Sequence, residues 1–260
     1  MTMQTVTTLI VVTKVLPSAH RDQGIINTIG SALSPQREWR RIMRTEQDIP
    51  RYSVGEEIAN GFTHGFGLLL AITGMAVLIN FASRLGNTWH LVSCSIFATT
   101  LILQYAFSTL YHSIQIPRAK SIMRVLDHSA IFLLIAGTYT PFMLVNLRGV
   151  WGWTLFGIVW SLALLGVLFQ VSLLRRWQGI SLSLYIGMGW VVVIAIKPML
   201  DSVATGGLIL LLSGGLAYTS GVIFYLWKSL RYHHAIWHGF VLLGSILHFF
   251  AVLFYVIPLA

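Results

Sequence analysis

Charge is what this sequence has least of. Only 10% of its 260 residues are Asp, Glu, Lys or Arg, where a soluble domain carries roughly 25%. A chain so short of polar surface does not cover a water-facing globule. Its mean hydropathy of +0.76 and its 56% apolar content point the same way. Cysteine is almost absent. Cys94 stands alone inside an apolar run, so no intrachain disulfide can form and the redox compartment is not readable. No internal repeat or low-complexity tract is found, so a transporter of the inverted-repeat type gets no support. Strict apolar alternation is missing too, which argues against a membrane β-barrel.

What is there is apolar sequence in long continuous runs. A run of about 20 such residues spans a bilayer as a helix. Seven are read, at 58–83, 89–112, 125–146, 150–172, 179–200, 205–227 and 236–258. Connections are short, so successive helices are antiparallel neighbours. The expected fold is all-α: a polytopic membrane protein built as a seven-transmembrane helix bundle, occupying residues 51–260.

The net charge of +9 looks like a nucleic-acid signal, but its distribution is that of membrane topology. Lys14, Arg21, Arg37, Arg40, Arg41, Arg44 and Arg51 precede the first run. Arg118, Lys120 and Arg124 follow the second, Arg175 and Arg176 the fourth, and Lys228 and Arg231 the sixth. Only Arg84, Arg148 and Lys197 lie on the other side. Basic loops stay in the cytoplasm, so the N-terminus is expected inside and the C-terminus in the periplasm. No nucleic-acid role is needed.

Residues 1–50 differ from the rest. Thr8–Val12 is apolar but too short to span, with no basic segment before it and no small-residue cleavage site after it, a poor signal peptide. Arg37–Arg44 sets Trp39, Ile42 and Met43 among four arginines, a pattern an interfacial helix can use. A flexible, solvated cytoplasmic extension is the preferred reading. Met43 as the natural start stays open, and Pro50 marks the boundary.

Ionisable residues inside such a chain need a protein interior and partners. His112, Asp127, His234 and His238 all fall at the cytoplasmic mouths of apolar runs. His234 and His238 are four apart, a spacing that lets one helix offer two imidazoles to one metal. The hairpin between runs two and three returns Asp127 to the depth of His112. Three neutral histidines make a zinc ligand set with an open position for water, whose pKa a zinc ion lowers to about 7. Asp127 is then the candidate general base. Ser108 shares a helical face with His112, about 6 Å deeper by helix rise. It is a candidate to ligate, to orient water or to bond a substrate carbonyl. Glu57, Asn60 and His64 form a polar stripe on the first run, as supporting or cavity residues.

Plainer readings stay open beside these. A histidine at a membrane edge is commonly an interfacial group with access to water, as expected among His90, His128 and His233. Asp127 beside Arg124 is equally a structural ion pair. Interhelical hydrogen bonding is the preferred reading for Asn60 and stays open for His64. Gly61 and Gly65 read as a close-packing G-x-x-x-G. His248, about 15 Å deeper than His238 by helix rise, is too far to share a metal and reads as a buried hydrogen-bonding histidine.

Four stretches carry a family resemblance: Glu56–Gly67 (EEIANGFTHGFG), Ser108–Ser113 (STLYHS), Asp127–Phe142 (DHSAIFLLIAGTYTPF) and His233–Val252 (HHAIWHGFVLLGSILHFFAV). Together they resemble the bacterial hemolysin III family, within the progestin and adipoQ receptor superfamily, and especially its short proteobacterial members. S-x-x-x-H, a following Asp and a terminal H-x-x-x-H are weak singly and specific jointly. The resemblance runs from about Tyr52 to Ile257. It implies a seven-helix bundle with a cytoplasmic N-terminus in a bacterial inner membrane. It also implies zinc on His112, His234 and His238, with Asp127 bound through water and Ser108 alongside. A role in membrane lipid homeostasis follows from it, and ceramidase-like activity in eukaryotic relatives points to a zinc-dependent hydrolase of a lipid amide or ester. The alternatives are a non-catalytic membrane sensor or regulator with structural zinc, and a pore-forming cytolysin. Membrane lipids are the expected partners in all three.

Overall fold

A computed structural model describes residues 52–172 and 177–258. The extension 1–50 and the Arg175–Arg176 connection lie outside the described residues. Among those described there is no strand. Helix α1 spans Val54–Leu85, α2 Thr88–Ser113, α3 Pro117–Pro141, α4 Val150–Val171, α5 Gln178–Gly189, α6 Ile196–Ser202, α7 Thr205–Leu226 and α8 His233–Tyr255. A π-helical turn, Phe142–Asn146, continues α3, and a 3-10 stretch, Val191–Ala195, joins α5 to α6. With α5 and α6 taken as one interrupted rod, seven helical segments are long and apolar enough to cross a membrane.

The seven expected runs match these segments, and the largest difference in bounds is at the third. The third begins at Pro117, not at 125, so Arg118–Arg124 is the first two turns of a helix and not a loop. Proline at the first helical position loses no hydrogen bond, and its fixed φ suits helix entry. The ladder starts at once, with Lys120 N donating to Ile116 O at 2.8 Å.

Polarity is arranged inside out. Large apolar side chains such as Val54, Phe62 and Leu69 face outward, while Asn60, His64, Ser108 and Thr140 are buried. In lipid, every backbone polar group must be satisfied within the protein, and the two helix interruptions obey this. Pro141 supplies no N–H to the ladder, and the backbone relaxes into the π turn, where Leu147 N reaches Phe142 O at 2.8 Å. Between α5 and α6, the Tyr139 hydroxyl donates to Gly189 O at 2.6 Å and accepts from Val192 N at 3.0 Å.

Helix α1 packs along α2, α2 along α3 and α7 along α8, and α8 also meets α1. Gly61 and Gly65 are not the tightest approach. A Cβ there would sit in ordinary contact, 3.6 Å from Ser113 Oγ and 3.7 Å from Thr109 Cγ2. On α1 the close approaches are Gly67, 2.7 Å from the Tyr105 ring, and Gly74, 2.9 Å from Phe249. Gly67 brings α1 against α2 and Gly74 brings it against α8, so α1 is the slat that fixes the other two.

Candidate metal centre

Local capping holds the helix ends that carry the cluster. Ser53 and Glu56 form a capping box at the start of α1, with Ser53 N donating to Glu56 Oε2 at 2.9 Å and Glu56 N to Ser53 Oγ at 3.3 Å. This satisfies helix-start amides that would otherwise have no partner. Glu56 has a second task. Its Oε1 accepts from Tyr232 N at 3.2 Å. Tyr232 is in the left-handed region (φ 60°) and opens α8. The start of α8 is thereby tied to the start of α1, which sets His234 and His238 beside His112 at the end of α2.

All three histidines are buried, and one ring nitrogen of each lies within 4.8 Å of the others. Among the described residues they are the one group of His, Cys, Asp or Glu that meets this condition. The hydrogen bonds orient two of the rings. His112 Nδ1 donates to Glu57 Oε2 at 2.7 Å, so its proton is on Nδ1 and its Nε2 lone pair is free. His238 Nδ1 donates to Asn60 O at 3.3 Å, leaving its Nε2 as an acceptor. His234 packs against the Tyr52 ring, with centroids 5.1 Å apart and the planes 29° from parallel. Burial pushes the Tyr52 phenol well above its ordinary range, so it stays neutral at the mouth of the site.

The cluster fits a metal on its own chemistry. His112 Nε2 and His234 Nδ1 are buried with no hydrogen-bond partner. An unsatisfied buried polar group costs about 1–3 kcal/mol, and a cation accepting the lone pairs removes that cost. Imidazole nitrogens with the opposite ring nitrogen held by a carboxylate or a carbonyl are the usual protein ligands of zinc.

The remaining expected residues surround the cluster at different removes. Asp127 is buried but is not one of the clustered ligand groups. Its Oδ1 accepts from Gln104 Nε2 at 3.4 Å, and His128 Nδ1 lies 3.2 Å from its Oδ2. Ser108 is fully buried and its Oγ has no partner. His64 lies flat on His238, with centroids 3.5 Å apart and the planes 14° from parallel, and neither of its ring nitrogens is hydrogen bonded. Asn60 reaches the site twice, through its carbonyl and through Nδ2, 3.4 Å from His112 Nδ1. Glu57 and Asn60 therefore touch the histidines directly, and His64 touches them by stacking.

His248 is apart from the cluster, donating from Nε2 to Leu211 O at 3.0 Å. Among His90, His128 and His233, where interfacial groups are expected, His233 is buried and its Nδ1 lies 3.2 Å from Phe224 O. His90 caps α2 at its other end, 3.0 Å from Asn87 Oδ1. Three participants escaped the sequence reading: Gln104, which holds Asp127; Tyr52, which covers His234; and Lys120. Gln104 was findable, because it precedes Ser108 and His112 at four-residue intervals on one face. Tyr52 and Lys120 carried no such signal.

Residues 52–249, which include every residue of this cluster, match the family described as haemolysin-III related. The chain is similar to Hemolysin-3 of Bacillus cereus, 49% identical over 207 residues that cover 80% of this chain and 94% of the relative. It is similar to the Hemolysin-3 homolog of Bacillus subtilis (strain 168), 50% identical over 204 residues, 78% of this chain and 96% of the relative. A more distant likeness is to Monocyte to macrophage differentiation factor of Homo sapiens, 28% identical over 207 residues, 76% of this chain and 83% of the relative.

Proposed function

The chain belongs to the haemolysin-III related family, and from that premise we propose that it is a bacterial inner-membrane protein with a cytoplasmic-side zinc centre that hydrolyses a lipid amide or ester in membrane lipid homeostasis. The carrying observation is the set of three buried imidazoles within 4.8 Å of one another, two of them held through Nδ1 by Glu57 and the Asn60 carbonyl. His112, His234 and His238 would hold the metal. Zinc at such a site supplies Lewis acidity toward a carbonyl and lowers the pKa of water. Asp127 would take a proton at a carboxylate oxygen. Gln104 already donates to one oxygen of that carboxylate, and His128 Nδ1 lies 3.2 Å from the other. Ser108 Oγ, buried and without a partner, would bind a carbonyl oxygen or orient water. The apolar walls of α2 and α3 would keep bulk water out and strengthen each of these interactions.

The cytoplasmic placement rests on the basic asymmetry of the loops, and the inner membrane on the family resemblance. A second reading is a membrane sensor in which zinc is structural. It is favoured by the position of the histidines at the junction of α2 and α8, where a metal would clamp two helices. A cytolytic pore, the reading the relatives' names suggest, draws less support, because the clustered polar groups lie at one mouth of a packed bundle.

Metal analysis of the purified protein tests the proposal. The wild type is expected to carry about one zinc per chain, and the double variant His234→Ala with His238→Ala is expected to lose it. Full zinc occupancy in the double variant would refute the assignment. Untargeted lipid profiling of cells with and without the protein then separates hydrolase from sensor, since accumulation of one lipid amide or ester class is expected only of the hydrolase.

A further inference from the structure

Lys120 is one of the fourteen basic residues that set the topology, yet it does not behave as a surface charge. It is buried, and its ammonium makes three contacts: Glu57 Oε1 at 2.8 Å, Tyr111 O at 3.0 Å and Ile114 O at 3.3 Å. The two carbonyls belong to the last turn of α2 and to its C-cap residue, where acceptors lack partners within the helix and a cation is favoured. The face of the Tyr111 ring lies 5.0 Å from the same nitrogen. Glu57 is shared: one oxygen takes Lys120 and the other takes His112 Nδ1 at 2.7 Å. An ammonium is an expensive group to bury unless it is paired, so its position calls for an explanation beyond topology.

We propose that Lys120 is a positioning residue for the metal centre, acting through Glu57. The inference rests on the metal reading above. A carboxylate on a flexible stem can turn away from an imidazole. With Oε1 held by Lys120, only Oε2 is left to face His112, and the Glu57 side chain is fixed in the rotamer that receives the Nδ1 proton. That bond dictates the tautomer of His112 and aims the Nε2 lone pair at the cluster. Lys120 also moderates the carboxylate. A bare Glu57 would draw the Nδ1 proton strongly, and the ammonium shares that charge. The sequence order makes this possible. Glu57 is on the first turn of α1, His112 on the last turn of α2, and Lys120 on the first turn of α3. The early start of α3 at Pro117 points Lys120 back under α2, and a loop at 118–124 would hold it less firmly.

The competing role for Lys120 is as a cap on α2 alone, independent of Glu57 and of the metal. A double-mutant cycle separates the two, using Lys120→Met, Glu57→Gln and the combination in full-length, detergent-solubilised protein. Zinc affinity is read by competition with a chromophoric chelator, and the Co2+ ligand-field spectrum is read in parallel. Loss of a partner that orients a ligand typically costs about 10–100-fold in metal affinity. Lys120→Met and Glu57→Gln are each expected to weaken zinc by about that factor and to shift the Co2+ band, and the double variant is expected to be no weaker than Glu57→Gln. Effects that multiply would mean that Lys120 acts without Glu57, and would overturn the proposal. Wild-type zinc affinity in Lys120→Met, with only a fall in thermal stability, would overturn it as well. Should Lys120→Met not fold, Lys120→Arg keeps the charge but replaces a three-donor point with a planar fork. An Arg variant with unchanged affinity and an unchanged Co2+ band would overturn it. A wild-type protein that binds no zinc would remove the metal reading itself, and the inference with it.

Discussion

Replacing Asp127 by Asn separates chemistry from architecture at this site. Asp127 is buried and not one of the clustered ligand groups, so the substitution removes no proposed ligand. The shape is conserved. An Asn carbonyl can accept from Gln104 Nε2 as Asp127 Oδ1 does at 3.4 Å. On the other side, His128 Nδ1, 3.2 Å from Asp127 Oδ2 without a hydrogen bond between them, would face an amide NH2. The charge-assisted hydrogen bond from Gln104 becomes a neutral one. The former contribute about 1.5–3 kcal/mol and the latter about 0.5–1.5 kcal/mol, so the expected destabilisation is about 1 kcal/mol, a Tm change of roughly 2–4 °C. Zinc content should stay at the wild-type level. Under the hydrolase reading the function should still collapse, because loss of a general base costs about 10²–10⁴-fold in rate. The assay is restoration of the lipid profile in cells lacking the protein, with zinc content and Tm measured on the same preparations. An Asn variant that is stable, zinc-loaded and fully active would refute Asp127 as an essential base and favour the sensor. A variant that loses zinc would mean that Asp127 is a ligand.

Other expectations follow from the packing and the topology. Gly67→Ala puts a methyl 2.7 Å from the Tyr105 ring, and overpacking of that kind costs about 1–3 kcal/mol. A lower Tm in a thermal shift assay is expected, and an unchanged one would show that α1 and α2 separate easily. Tyr52→Ala uncovers His234, so zinc should leave faster to an added chelator, while Tyr52→Phe should release it at the wild-type rate. Equal release rates for Tyr52→Ala and wild type would remove Tyr52 from the site. A reporter fused after Ala260 should read as periplasmic and one in the Arg175–Arg176 connection as cytoplasmic. A cytoplasmic C-terminus would put the histidines on the opposite face of the membrane.

The spans were legible because lipid imposes one solution on the backbone, and continuous apolar runs encode it directly. The histidine pair on α8 was legible because four residues make about one turn, so His234 and His238 had to share a face. Lys120 was not, since a lysine in a short connection is read as a topological charge until the helix start at Pro117 is known. The role of Glu57 was visible only as part of a stripe, because its pairing with His112 joins residues from different helices. Tyr52 was invisible for a similar reason: it precedes α1, and its contact with His234 exists only once Tyr232 and Glu56 tie α8 to α1. Local periodicity thus reports faces and depth, while pairings across the bundle wait on the packing of α1, α2 and α8.

The central claim is that His112, His234 and His238 hold one zinc ion, and zinc-edge X-ray absorption on the purified protein tests it most directly. The expected spectrum has three imidazole nitrogens and one oxygen at about 2.0–2.1 Å. A sulfur shell near about 2.3 Å, or protein prepared without chelators that carries no zinc, would contradict it.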